Sequence, residues 1–498
     1  MIMKNKAVLM MLAVLTVVVG CHNGEQTQVK NIPVIDKALT DTSSHFYAEF
    51  NDYPKDMHLL PIGVFDSGTG GLTVLEKLLS LDRFDNITGD EKQDNILDFS
   101  GEHFIYLADQ ANMPYGVYDA LGKADYLQEL VVKDALFLMS DDYYMNPFED
   151  RPTGSKPQVK IIVIACNTAT AYGLKHVQSM LDQSGTGVKV IGVINAGVKA
   201  TLDQLDIKQG DAPVAIGVLA TQGTISSGAY ERTINDMVAE RGITTKVHVV
   251  NQSGYGFAES VDSEPDYVDP SLILPRESYR GPRVGNGDDS LDVAMMDVYN
   301  FDFTYNRMLF NRDASGNYVD LQLNDAINYA RFNLVSLVER HRKSGVKAPL
   351  KAVILGCTHY PFLIETLKQT IDELREYKQN GSYLYRELIA DDFIFIDPAV
   401  YTAIECYETL RADNNLALRI SDMEVAGYIS VPSYGLAQEC LTPDGKLTYD
   451  FKYGRQTNTE DITTKQVPFS TENIDENNLQ RIARLLPYSY SLIAPSLY

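Results

Sequence analysis

The sequence predicts an α/β fold of two pseudo-equivalent, doubly wound domains with mainly parallel sheets. Three observations lead there. Short apolar runs alternate with helical patterns, which is the βαβ alternation of a parallel sheet. The chain has 498 residues, more than one ordinary core accommodates. It also echoes itself: IGVFDSGTGGLTVL, from Ile62, is similar to IGVLATQGTISSGAY, from Ile216, and IVIACNTAT, from Ile162, to VILGCTHYP, from Val353. That period is far too long for a solenoid, so the echo points to two similar halves.

Taken in order, the chain opens with Lys4 and Lys6 before an almost wholly apolar run over residues 7–20. A charged start and a short apolar stretch read as an export signal over 1–20, too short for a membrane span. The run ends Val18-Val19-Gly20-Cys21, which resembles a bacterial lipoprotein signal with Cys21 as the lipidated residue. The polar residues that follow read as a tether over 21–58. Buried strands are expected at 61–65, 160–165, 188–194, 214–219, 246–250 and 351–355. Helices follow, carried by Leu72, Leu75 and Leu79, by Leu174, Val177 and Leu181, and by a pattern from Phe362 onward. A further helix is expected over 320–342. The domains expected are 59–212 and 213–400, with surface insertions at 139–158 and 262–318 and a C-terminal extension at 401–498 that could pack on the first domain.

Composition removes some functions. A net charge of −24 argues against nucleic acid, whose phosphates an acidic surface repels. Besides Cys21 the cysteines are Cys166, Cys357, Cys406 and Cys440. They form neither a disulfide framework nor zinc-like spacing with histidine, so no metal is expected.

Cys166 and Cys357 each fall at the carboxyl end of a predicted strand and before a predicted helix, where open α/β sheets bind ligands. A helix N-terminus there is expected to lower a thiol's pKa, and its free N–H groups, with Asn167, Thr168 and Thr358, to hold a carboxylate. Asp66 and Ser67 follow the first strand, with Gly70-Gly71 allowing close backbone approach. His359 sits beside the second thiol.

Together, FDSGTGGLTVL, YLADQANMPYG (from Tyr106), IACNTATA, GVLATQGTISSGAY and LGCTHYP closely resemble the glutamate racemases of the aspartate/glutamate racemase superfamily. The resemblance spans about residues 60–400. It implies an active site in the cleft between two α/β domains, no cofactor, and catalytic cysteines at Cys166 and Cys357, with Asp66 and His359 as their helpers. It places substrate binding at Asp66, Ser67, Tyr115, Gly116, Asn167, Thr168, Thr358 and His359, and aligns Glu259, in GYGFAES, with a glutamate near the site of some members.

The expected activity is cofactor-independent racemisation of L-glutamate to D-glutamate, linked to cell-wall precursor supply. Aspartate or another amino acid as substrate, and a non-catalytic lipoprotein binding acidic amino acids or cell-wall peptides, stay as alternatives. The expected partner is a small acidic amino acid. A membrane would be engaged through the lipid, in the periplasm or at the outer membrane, and a homodimer is left open. The family is ordinarily cytoplasmic and about half this length, so the export signal, insertions and extension set this chain apart.

Overall fold

The computed structural model describes residues 32–497, apart from Asn286, Asp288, Arg419, Ile420 and Asp475. The expected signal segment and Cys21 lie outside the described residues. Two separate sheets organise the rest.

The first sheet is built on β1 (Ile62–Asp66), β2 (His103–Ala108), β3 (Ile161–Ile164) and β4 (Lys189–Gly192), all parallel. The second uses β5 (Val214–Ala220), β6 (Val247–Ser253), β7 (Leu350–Gly356) and β8 (Ile389–Ile396), in the order β8-β7-β5-β6, again all parallel. Every residue of β1, β3 and β5 is buried, as expected of strands covered on both faces by helices. Among those helices are α1 (Leu72–Leu79), α2 (Asn167–Ser184), α3 (Val193–Leu205) and α4 (Ala229–Glu240), then α5 (Ala326–Ser344), α6 (Ile364–Glu376) and α7 (Pro398–Ala412).

The C-terminal extension is part of the first sheet. Its strand β9 (Glu424–Pro432) pairs parallel with β2, and β10 (Thr464–Pro468) pairs antiparallel with β9, giving the order β10-β9-β2-β1-β3-β4. Cys406, on α7, is fully buried in the core of this half. It and Cys440 are free thiols.

Four expectations are corrected. The tether of 21–58 does not run to its expected end. Pro33–Thr40 is a helix whose Val34, Ile35 and Ala38 are buried in the first core, and Tyr53 donates to Val159 O at 2.6 Å. Eight residues are too few to hold a helix alone, so this apolar stripe is what fixes it; one fully buried Ile contributes about 1.5–3 kcal/mol. The strand expected over 188–194 ends at Gly192, and Val193 already starts α3. The helix expected over 320–342 begins only at Ala326, capped by Asp325, because Tyr318–Leu323 pairs as a hairpin with Met308–Arg312. The insertion at 262–318 is not confined to the surface: Val268, Tyr279, Leu291, Tyr299 and Phe301 are buried in the second core.

Candidate active site

Both sheets send their carboxyl-terminal strand ends to one cavity of about 110 Å³. Asp66 ends β1, Cys166 follows β3, and Cys357 follows β7. All eleven residues singled out from the resemblance, Glu259 included, line this cavity: Asp66, Ser67, Tyr115, Gly116, Cys166, Asn167, Thr168, Glu259, Cys357, Thr358 and His359.

The glycines after Asp66 are there because side chains would not fit. A Cβ on Gly71 would lie 2.4 Å from Asp66 Cβ, and the Gly71 N–H donates to Asp66 Oδ2 at 2.6 Å. A Cβ on Gly70 would lie 2.4 Å from His359 Cε1, so this turn of the first half packs directly on the imidazole of the second.

Cys166 is the N-cap of α2 and accepts the Ala169 N–H at 3.4 Å. The lowered thiol pKa expected there is overturned. Burial, then the Asp66 carboxylate, push the Cys166 thiol well above its usual range, and the cap hydrogen bond does not offset them. Burial also raises Asp66, against the pull of the His359 cation. Proton affinity is therefore high at both members of this thiol–carboxylate pair. The thiols are close enough that negative charge on Cys357 acts on Cys166.

Cys357 has a different setting. It caps no α-helix: the turn Tyr360–Leu363 intervenes before α6 starts at Ile364. Its partner is His359, whose Nδ1 lies 3.5 Å from Cys357 Sγ and whose Nε2 lies 2.9 Å from Asp262 Oδ2. Burial works against a charged imidazole, but Asp262 outweighs it and holds the His359 pKa well above its ordinary value. Burial alone would raise Asp262, yet His359 and Arg481 bring it down to about 2. An imidazolium carries N–H on both nitrogens, so it can donate to the carboxylate on one side and face the sulfur on the other.

The two halves are joined beside the thiols. Thr168 Oγ1 lies 2.9 Å from Thr221 Oγ1 and 3.1 Å from Thr224 Oγ1, and Tyr230, on α4, donates to Asn167 Oδ1 at 2.6 Å. Tyr115 reaches the cavity wall but uses its hydroxyl elsewhere, donating to Asp109 and Asp134 at 2.5 and 2.7 Å.

Sequence reasoning missed Thr221, Asp262, Glu264 and Tyr267 in the lining, and Arg481 behind it. Thr221 was within reach of the internal echo, since it occupies in IGVLATQG the place of Ser67 in IGVFDSG. Asp262 and Glu264 fell in a stretch without periodicity.

Comparison with known proteins agrees with the motifs. The glutamate racemase of Oceanobacillus iheyensis is 32% identical over 179 residues, covering 36% of this chain and 48% of that protein. The glutamate racemase of Limosilactobacillus fermentum is 33% identical over 211 residues, covering 41% and 61%. The chain thus spans about half to three-fifths of the length of these curated relatives. No protein-family model matches. Among solved structures, a glutamate racemase from Bacillus anthracis aligns over 74% of this chain and 88% of its own, with 22% identity and a TM-score of 0.43. One from Francisella tularensis in complex with D-glutamate covers the same shares with 20% identity and a TM-score of 0.41.

Carboxylates outnumber cations in the cavity wall, and one of them titrates in a useful range. Burial, with Glu259 and Asp262 nearby, raises Glu264 to about 7. Below that pH Glu264 is neutral; above it the cavity gains a negative charge. Binding of a dicarboxylate such as glutamate, followed by calorimetry, is expected to weaken as pH rises through about 7. Glu264→Gln should flatten that part of the profile; an unchanged profile would show that Glu264 does not sense the ligand. The chain is similar in sequence to the glutamate racemases, and its two cysteines from two halves share one buried cavity.

Proposed function

We propose that the protein is a cofactor-independent racemase that interconverts L- and D-glutamate with Cys166 and Cys357 as its two acid/base groups. The observation that carries this reading is that one thiol from each half lines the same cavity, each with its own partner: Asp66 for Cys166 and His359 for Cys357. The names of the sequence relatives supply the substrate.

Inversion at Cα requires a proton to leave one face and arrive on the other. A single base cannot serve both faces of a substrate held in place, so two groups are needed. A thiolate on one side takes the proton while a thiol on the other delivers one; the roles exchange for the reverse direction. His359 keeps a positive N–H beside Cys357, and the Cys166–Asp66 pair retains a proton for delivery. The Cα proton is far less acidic than a thiol, so negative charge spreading onto the substrate carboxylate must be met by donors. Asn167, Thr168 and Thr358, with the backbone N–H groups at the start of α2, are the donors in reach of the cavity. The product would feed cell-wall precursor supply.

The protein would be an exported lipoprotein held to a membrane through Cys21. Support for this is the sequence pattern of residues 1–21, charged, then apolar, then Gly20-Cys21. Among the described residues no helix is long and apolar enough to cross a membrane.

Polarimetry on purified protein tests the activity. L-glutamate should lose optical rotation in the wild type, with L-aspartate and other amino acids run beside it as competing substrates. Cys166→Ser and Cys357→Ser should each slow both directions by about 10²–10⁴-fold, the contribution usual for a positioned acid or base. Binding of glutamate without inversion would favour a binding protein; a serine variant near wild-type rate would remove the two-base reading. For the anchor, Cys21→Ser should move the protein from the membrane fraction to the soluble one in the native host. If the variant still sediments after a high-salt wash, lipidation at Cys21 is not the anchor.

A further inference from the structure

We propose that Arg481, in the C-terminal extension, is a positioning residue for Cys357: it locks Asp262 in the orientation in which Asp262 holds His359 against the thiol. This rests on the two-thiol reading above and names a part of the chain far from either cysteine in sequence.

The contacts form one continuous chain. The Arg481 Nη1 donates to Asp262 Oδ1 at 2.5 Å and to Val261 O at 3.0 Å. The other oxygen of the same carboxylate, Oδ2, lies 2.9 Å from His359 Nε2, and His359 Nδ1 lies 3.5 Å from Cys357 Sγ. Each carboxylate oxygen thus has its own cationic partner, which removes the rotation an Asp held at one end retains. The side chains of Arg481 and Asp262 are each 13% exposed and that of His359 is 9% exposed, so water does little to screen the chain. The second arm of the guanidinium, Nη2, reaches Thr69 Oγ1 at 3.5 Å, in the glycine turn whose Gly70 packs on the His359 ring. Arg481 therefore spans both halves where their loops meet. A planar fork suits that task; a lysine supplies charge at one point.

The helix carrying Arg481, Glu476–Leu485, is anchored without it. Leu479 and Ile482 are buried in the first core, and the next helix, Pro487–Ile493, is tied to Glu76 by the Ser489 N–H at 2.8 Å and by its hydroxyl at 2.9 Å. Removing the guanidinium should leave this helix docked. The charged and titratable groups facing the chain of contacts are Asp66 from the first half and Glu259, Glu264 and Cys357 from the second.

The test compares Arg481→Met, Arg481→Lys and Arg481→Ala in the full-length protein. In Arg481→Met, kcat for racemisation should fall by about ten- to hundredfold, what a lost charge-assisted hydrogen bond is worth, while KM and Tm change little. Arg481 is among the groups that hold Asp262 at about 2, so the acid limb of the kcat/KM profile should move to higher pH without it. Arg481→Lys should fall between, and millimolar guanidinium chloride should restore part of the rate to Arg481→Ala. A retained kcat overturns the proposal. So does a uniform loss with lowered Tm, no shift of the acid limb and no rescue, since that is what undocking the helix would give. A readout without turnover separates this from failure of the racemase reading. The proton on His359 Nε2, assigned by NMR with His359→Gln, should be protected from exchange in the wild type and exchange rapidly in Arg481→Met. Equal exchange in both would refute the clamp whether or not glutamate is the substrate.

Discussion

Everything in this molecule depends on bringing the carboxyl ends of two separate parallel sheets to one cavity. Neither half alone can supply the two cysteines that line it, because each offers a single cysteine at a strand end. The join beside the thiols is polar: three threonine hydroxyls within hydrogen-bond distance of one another, and a tyrosine from one half donating to an asparagine of the other. Buried polar contacts of this kind contribute only about 1 kcal/mol each, but leaving any of them unpaired would cost more. They specify how the halves meet. Gly70 adds a steric requirement, since any side chain there would collide with His359.

The two thiols are treated unequally by the fold. Cys166 sits beside a buried carboxylate that raises its proton affinity, and Cys357 beside an imidazolium stabilised by Asp262. The inequality gives the cavity one proton-holding side and one positively charged side. Asp66, Glu259, Asp262 and Glu264 all line the cavity, and His359 is the one cationic side chain among its described lining residues. Under the proposed function a dicarboxylate would be held by hydroxyl, amide and backbone donors, with Glu264 neutral below about pH 7.

Much of this was legible in the sequence. The apolar strands and the internal echo are legible because each is a local pattern: a buried run, then small or polar residues, then a helix. The residues that only the resemblance implies line one cavity. What escaped was long-range or environmental. Asp262 lies in a segment without periodicity, and Arg481 is over 200 residues away from it, so nothing local advertises their pairing. The polar tail is expected to hold scattered strands and a terminal helix, but the place of Glu424–Pro432 in the first sheet shows only once β2 lies beside it. Pro33–Thr40 reads as tether in sequence because its short apolar stripe has meaning only against a core. The raised proton affinity of Cys166 escapes the sequence because helix position can be read there, whereas burial and the nearness of Asp66 cannot.

The central claim is that two groups act on opposite faces of one substrate. The measurement that bears on it most directly is proton NMR of glutamate racemised in heavy water and stopped early. If two thiols act, D-glutamate formed from L-glutamate should carry deuterium at Cα, delivered by a solvent-exchanged thiol. L-glutamate recovered at the same time should remain almost unlabelled, and the reverse should hold starting from D-glutamate. Deuterium entering the recovered starting enantiomer as fast as it enters the product would mean that one group serves both faces, and would contradict the account.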